Sequence, residues 1–172
     1  MNIIQTQRLT LRMFREADLD QYADICSDPE VMRYLGEGRA LDRWEAWRQM
    51  AMVIGHWHLR GYGPWAVEER ATGRLLGRLG FFNPEGWPGF ELGWVLRRSE
   101  WGRGFATEGA TAALGYAFDE LKRSKVISLI QPANEPSIKV ALRLGYSLEG
   151  RGEVLGKEVL IYGINAGTWR ER

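Results

Sequence analysis

Glu91-Leu-Gly-Trp-Val-Leu96, followed by Trp101-Gly-Arg-Gly-Phe-Ala-Thr-Glu108, decides how this chain reads. Phe90–Leu96 has the apolar and aromatic character of a strand. From about Thr107 to Lys122, small and apolar residues recur at Ala110, Ala113, Leu114, Ala117 and Phe118, a helical face suited to close packing on a sheet. A strand, a Gly-x-Gly loop and a helix start together make a device for binding phosphates. Glycines let the backbone approach the ligand, and free N–H groups at the helix N-terminus point at an anion with the helix dipole behind them. Arg97, Arg98 and Arg103 surround the loop with positive charge. A two-glycine loop is also an ordinary turn and an arginine trio also ordinary solvated surface, so both readings stand at this point.

Two other phosphate motifs are excluded. A dinucleotide fingerprint needs three spaced glycines in an opening βαβ unit, whereas Gly102, Gly104 and Thr107 occupy those positions mid-chain after antiparallel strands. A P-loop needs Gly-Lys-Ser/Thr, which is absent.

Outward from this loop, Arg8–Phe14 alternates with period two and reads as a strand. Asp18 precedes a helix that stops near Asp28-Pro29, and Asp42 caps a second helix that Gly61 ends. Trp65–Glu69 and Leu75–Phe82 form a hairpin about Ala71-Thr-Gly73. Val126–Ile130 is a short apolar run typical of a buried strand. Asn134 caps a helix stopped by Gly145, and Tyr146–Leu148 and Lys157–Ile164 close the chain as strands. The order β-α-α-β-β-β-α-β-α-β-β predicts a mixed α/β sheet with helices on both faces.

The 172 residues suit one domain, residues 1–172, without internal repeats or linkers. Hydrophobic residues make up 45% and charged residues 26%, an ordinary globular balance. A net charge of +1 gives no general field for nucleic acid or an anionic membrane. The single cysteine, Cys26, makes neither an internal disulfide nor a metal site, and His56 and His58 are too closely spaced to share a helix face as a metal pair. For these histidines a surface role is expected. With no signal-peptide pattern and no apolar run of about 20 residues, a cytoplasmic protein is expected. Most of the eight tryptophans are expected in the core or a lid. Exposed tryptophans and sheet edges leave a homodimer open.

Together, Glu91 to Leu96, Trp101 to Glu108, Asn134-Glu-Pro-Ser-Ile-Lys139 and Leu144-Gly-Tyr146 resemble the GCN5-related N-acetyltransferase (GNAT) superfamily. Within it they are similar to the branch of the ribosomal-protein N-terminal acetyltransferases RimJ and RimL, as is the opening Gln7-Arg-Leu-Thr-Leu-Arg12. The resemblance runs over nearly the whole chain. It implies a single GNAT domain whose mostly antiparallel sheet is splayed at its centre, with acetyl-CoA as co-substrate, an amine as acceptor and no metal. In the family's signature loop Gly104 and Ala106 match, while Trp101 stands where Gln or Arg is usual.

The resemblance places the coenzyme pyrophosphate on the amides of Gly102, Arg103, Gly104, Phe105, Ala106 and Thr107. It pairs the pantetheine with main-chain groups of Trp94, Val95 and Leu96, brings Asn134 to the pantetheine or an ordered water, and makes Lys139 a weaker coenzyme contact. Direct attack of the amine on the thioester requires a base, an oxyanion donor and an acid for the departing thiolate. Glu91 is the candidate base, and a backbone N–H near Trp94 or Val95 the oxyanion donor. The tyrosine that many members use as the acid is replaced by Ala141, leaving Ser137 as the candidate, unless its hydroxyl only satisfies its helix's first turn. Glu91 equally has a purely structural reading as an exposed strand carboxylate. Glu108, in the first helical turn, reads as structural.

The two N-terminal helices and the late hairpin are expected to shape the acceptor cleft, with Met32, Tyr34, Leu35, Trp44, Trp47, Trp57, Tyr62 and Val154 to Val159 as lining. That lining suits a peptide N-terminus or a small amine with an apolar body. The competing class is a non-catalytic acyl-CoA sensor, for which Ala141 speaks and Glu91 and Ser137 speak against.

Overall fold

Alternation along the strands splits the apolar residues between two cores, one on each face of a single sheet. The structure, a computed structural model, describes residues 3–171; Met1, Asn2 and Arg172 of the expected domain lie outside the described residues. The strands are Ile4–Gln5 (β1), Leu9–Arg12 (β2), Pro64–Glu69 (β3), Leu75–Phe82 (β4), Glu91–Leu96 (β5), Lys125–Ile130 (β6), Ser147–Val154 (β7) and Lys157–Asn165 (β8). They lie in the order β1-β2-β3-β4-β5-β6-β8-β7, antiparallel throughout except for the β5–β6 pair. This is the mixed, mostly antiparallel α/β sheet that the sequence predicts.

Helices Leu19–Cys26 (α1), Pro29–Met32 (α2) and Arg43–Arg60 (α3) cover one face. There Tyr22, Ile25, Met50 and Val53 pack against Ala66, Leu75 and Val95. Helices Phe105–Gly115 (α4) and Glu135–Arg143 (α5) cover the other, where Phe105, Ala110, Leu114 and Ala141 meet Leu9, Trp65, Leu79 and Leu92. Ala166–Arg170 (α6) ends the chain. The small residues of α4 bring it close to the sheet: a Cβ added at Gly109 would lie 3.1 Å from Leu79 Cδ1.

Local signals explain the helix ends. Asp42 and Glu45 form a reciprocal capping box at the start of α3, and Gly61 ends it at φ +75°. Asn134 caps α5, accepting the Ser137 N–H at 3.3 Å. Other boundaries differ from expectation. Asp28-Pro29 does not simply stop a helix; Asp28 caps the short α2, with Pro29 at its first position. The helix expected from Thr107 starts at Phe105 and turns into one π-helical segment, Tyr116–Glu120. The strand expected over Tyr146–Leu148 extends to Val154, because β7 is an edge strand whose outward residues are polar and carry no hydrophobic alternation.

In the Gln7–Arg12 segment, Arg12 is buried and donates to both Asp18 oxygens at 2.8 Å and to Glu68 at 2.7 Å, tying β2 to the start of α1 and to β3. Trp65 is fully buried, whereas Trp44, Trp47 and Trp101 are exposed, so the expectation that most tryptophans are core or lid holds only in part. No helix among the described residues is long and apolar enough to cross a membrane.

The surface role expected for His56 is corrected: its ring is buried. Its Nε2 accepts the Asn83 N–H at 3.1 Å, so Nδ1 carries the proton and donates to the Tyr62 carbonyl at 2.8 Å. Burial lowers its pKa from 6.5, so the neutral form belongs to the folded state. The unfolded chain therefore takes up this proton first as pH falls below about 6.5, and the stability that neutral His56 contributes is lost in that window. His56→Phe is expected to cost about 1–3 kcal/mol at pH 7.5, by leaving the half-buried Asn83 N–H unpaired. In denaturant unfolding that deficit should narrow between pH 6.5 and 5; a pH-independent deficit would mean that the imidazole does not titrate in this way.

Candidate active site

The sheet opens at its centre because β5 and β6 share one rung. Glu91 pairs with Ile127, and the Ile127 N–H donates to the Phe90 carbonyl at 3.0 Å. A regular parallel ladder would next join the Leu129 N–H to the Leu92 carbonyl. Instead Ser128 Oγ donates to that carbonyl at 2.7 Å, and the Leu129 main chain lies near the Glu91 carboxyl, where it favours the charged form. Beyond this point β5 keeps its antiparallel pairing with β4 but has no partner strand on its other edge among the described residues.

The register decides which main-chain groups face the gap. Val95 pairs with Arg78, and the Arg97 N–H donates to the Leu76 carbonyl at 2.7 Å, so odd-numbered residues of β5 bond to β4. Phe90 and Leu92 turn to β6, and by alternation Trp94 and Leu96 face the gap. Of the three positions expected along the pantetheine, Trp94 and Leu96 are thus brought to the gap. Val95 directs its main chain to β4 and its side chain into the core under α1 and α3. The Leu96 carbonyl already accepts the Trp101 indole N–H at 2.8 Å, which gives the residue at the atypical loop position a structural task.

At the far end of β5 the chain passes through the loop to α4. Gly102 at φ +74° and Gly104 at φ +81° adopt a conformation that side chains disfavour, and Gly104 is the N-cap of α4. The Glu108 N–H bonds back to the Gly104 carbonyl, which leaves the first amides, Phe105 to Thr107, without helical partners. The Phe105 ring is buried, with Arg8 and Arg103 guanidinium carbons 4.4 and 4.9 Å from its centroid.

The three arginines expected to supply positive charge are each paired with an acid. Arg97 pairs with Asp24, Arg98 with Asp28 at 2.9 Å, and Arg103 with Glu100. Glu100, which the sequence reading missed, is buried at the base of the loop and also binds Arg74 at 2.5 Å and Ser99 at 3.0 Å. Burial pushes its carboxyl up, but Ser99, Arg74 and Arg103 more than reverse this, leaving it below the usual range. Nothing in the sequence distinguishes it from a solvated loop glutamate. A cavity of about 470 Å³ opens beside the loop, between α1–α2 and Arg97–Ser99.

Glu108 has the structural role expected of it. Its carboxylate accepts Thr6 Oγ1 at 2.6 Å, the Arg8 N–H at 2.8 Å and Arg8 Nε at 2.6 Å. This places Arg8, a second missed residue, with Nη2 3.4 Å from a Cβ added at Gly104. Its only sequence signal is membership of the Gln7–Arg12 segment.

At the apex of the gap, Glu91 is half-buried on the α1–α3 side, with Trp87 Nε1 donating to Oε2 at 2.7 Å. Burial pushes its carboxyl up to about 7, against the Trp87 and Leu129 hydrogen bonds and the charge of Arg78. On the opposite face, Tyr146 lies buried beside Ser128, and its hydroxyl makes no hydrogen bond of good geometry among the described residues. Burial holds that phenol protonated. Ser137 is half-buried in the first turn of α5; Asn134 caps its N–H, and its hydroxyl makes no hydrogen bond among the described residues. Asn134 is therefore a helix cap, and Lys139 is exposed, 3.9 Å from Glu135.

The expected acceptor lining is largely redistributed. Met32 and Tyr62 are buried in the cores, and Trp57 donates to the Pro64 carbonyl at the start of β3. Trp44 and Trp47 stack on one another, exposed, on the outer face of α3. A helix with apolar residues on every face gives no sequence sign of which face turns inward. Tyr34 stays near the site, its carbonyl accepting Gln131 Nε2 at 3.0 Å. Among the described residues no cluster of His, Cys, Asp and Glu is arranged to hold a metal ion.

A family described as an acetyltransferase (GNAT) domain matches residues 8–147. The N-acetyltransferase p20 of Bacillus licheniformis, itself uncharacterized, is 32% identical over 152 residues, covering 87% of this chain and 85% of p20. The crystal structure of an acetyltransferase from Agrobacterium tumefaciens is 30% identical and superimposes with a TM-score of 0.84, covering 96% of this chain and 95% of that one. RimL, the ribosomal L7/L12 α-N-protein acetyltransferase, solved with coenzyme A, superimposes at a TM-score of 0.79 over 95% of this chain and 98% of its own. At 19% identity, that likeness is one of fold.

Glu91's raised pKa has a stability consequence whose sign is fixed. The unfolded carboxyl ionises near 4.5 and the folded one near 7, so burying the charge costs nothing below 4.5 and its full amount above 7. Glu91→Gln removes that cost. It is expected to gain stability relative to the parent by about 2 kcal/mol more at pH 8 than at pH 5, read from paired denaturant titrations.

Proposed function

The chain belongs to the GNAT acetyltransferase family, and we propose that it transfers the acetyl group of acetyl-CoA to a primary amine by direct attack, a protein N-terminus being the preferred acceptor. It is an acetyl-CoA-dependent acetyltransferase. The observation that carries the mechanism is the one-rung opening between β5 and β6, with amides that lack helical partners at one end and a half-buried carboxylate at its apex.

The residues present fit the coenzyme's chemistry. The amides from Gly102 to Thr107 take the pyrophosphate at the N-terminus of α4, where the glycines keep side chains away and the dipole favours an anion. Arg103, held by Glu100, lies on the same loop, and Lys139 lies outside as a further cation near the coenzyme. Pantetheine pairs with the gap-facing groups of Trp94 and Leu96, while Val95 supports the strand from β4.

Glu91 takes a proton from the acceptor ammonium. With its pKa near 7 it is ionised in a useful fraction of molecules yet basic enough to accept that proton. The freed amine nitrogen forms a bond to the thioester carbonyl carbon, and the Trp94 N–H steadies the oxygen that gains charge. The C–S bond then breaks as the nitrogen sheds its second proton. The Ser137 hydroxyl, uncommitted among the described residues and set on the turn that Asn134 caps, passes its own proton to the departing thiolate and takes up the one that the nitrogen releases. The choice of a protein N-terminus rests on the resemblance to the RimJ/RimL branch and the fold shared with RimL. A small amine is the other acceptor class within this reaction.

The test is a thiol-release assay over peptides, polyamines and small amines, alongside calorimetric titration with acetyl-CoA, CoA and ATP. Tight acetyl-CoA binding with CoA release on N-terminal peptides is the expected result. Binding without release on any amine would favour a sensor, and ATP competing with CoA would remove the coenzyme assignment of the loop. Gly104→Glu, which sets a carboxylate against the pyrophosphate amides at a positive φ, is expected to weaken CoA binding by about a hundredfold or more. Unchanged affinity would overturn the loop assignment.

A further inference from the structure

Glu91 is fastened by a residue from outside its own strand. Between β4 and β5 the chain makes an exposed loop, 83–90, stabilised by the Trp87 N–H bonding to the Pro84 carbonyl at 3.1 Å. From this loop the half-buried Trp87 indole reaches down and donates to Glu91 Oε2 at 2.7 Å. The indole is itself held in place. Its ring meets Phe82 edge-on, with centroids 5.1 Å apart and planes at 85°. Phe82 in turn stacks on buried His56 at 5.3 Å, and His56 Nε2 takes the Asn83 N–H at the start of the same loop. The chain of contacts from α3 to Glu91 thus ends in one directed N–H donor.

A carboxylate offers about four lone-pair positions. Trp87 takes one, so the group is aimed by this donor while acceptor capacity remains for an ammonium or a water. An N–H donor stabilises the ionised carboxylate and not the protonated one, so it works against the burial that favours the neutral acid. The other groups that act on Glu91 are Arg78 from β4, which favours its charge, and Tyr146 from the segment after α5, a protonated phenol whose ionisation Glu91 opposes.

We propose that Trp87 is a positioning residue for the transfer, its indole N–H fixing the aim and charge of the Glu91 carboxylate at the apex of the gap. This deepens the proposed mechanism and rests on Glu91 serving as its base. The loop then does more than connect two strands, because any acceptor that moves it alters the base directly.

The decisive variant is Trp87→Phe, which keeps an aromatic ring against Phe82 and removes only the donor. Loss of a hydrogen bond to a charged group should move the acid limb of the kcat/KM profile upward by about one pH unit, with activity recovering on the alkaline side. A uniform loss across pH with an unmoved limb would overturn the proposal, since a merely structural ring would act that way. Should the variant fail to bind CoA calorimetrically, the parent protein supplies the readout. With ¹⁵N-labelled tryptophan, one indole N–H resonance should titrate near pH 7 and stop titrating in Glu91→Gln; no titrating indole would equally overturn it. Glu91→Gln also separates the two readings. If it keeps the parental pH profile, Glu91 is not the base; if it loses the acid limb while Trp87→Phe leaves that limb in place, the Trp87 role alone fails.

Discussion

Everything that this protein can do with a thioester depends on β5 and β6 meeting at one rung and then parting. A parallel pair in mid-sheet would ordinarily continue its ladder, because unpaired main-chain groups in a buried sheet are costly. Here a side chain stands in the ladder's place. Ser128 takes the Leu92 carbonyl, and the Glu91 carboxyl lies near the Leu129 main chain. A polar side chain therefore occupies the carbonyl of the missing rung, and the main-chain groups of Trp94 remain turned to an open edge.

That construction explains the electrostatics of the apex. A carboxylate used as a wedge is partly desolvated, and desolvation raises its pKa to about 7, the range in which a general base is most effective. The same burial that opens the sheet thus tunes the group left at the opening, at a cost in stability when it ionises. The loop at the other end works differently. Its arginines are neutralised by Asp24, Asp28 and Glu100, so the loop's positive potential falls chiefly on backbone amides and the α4 dipole. Fixed dipoles on a glycine turn bind an anion without needing to reorganise, whereas long side chains would have to be ordered first.

The two faces of the sheet divide the labour. Alternation sends Leu92 and Leu96 to the α4–α5 face, with Ser128 and Tyr146, and sends Glu91 and Val95 to the α1–α3 face. A carboxylate on one face and hydroxyl groups on the other suit the proposed reaction, in which the nucleophile approaches from one side and the leaving group departs on the other.

The sequence by itself determined the element order, the helix caps at Asp42 and Asn134, the glycine turn before α4 and, through the resemblance of its motifs, the family and coenzyme. These rest on local rules, namely periodicity, capping chemistry and the φ values open only to glycine, and each is legible in a window of a few residues. It also singled out Glu91, though not what holds it. What only the tertiary structure decided involves partners far apart in the chain. Trp101 was read as a departure from the family loop, and only the fold shows its indole on the Leu96 carbonyl. Glu100 and Arg8 carried no signal, because their meaning comes from Arg74, Arg103 and Glu108 arriving beside them. His56, expected at the surface, is buried because Tyr62 and Asn83 satisfy both of its ring nitrogens, and Trp44 and Trp47, expected in the cleft, face outward because Ala46, Met50 and Val53 take the inner face of α3. Burial and hydrogen-bond partnership are properties of the assembled sheet, and no single stretch of the chain contains them.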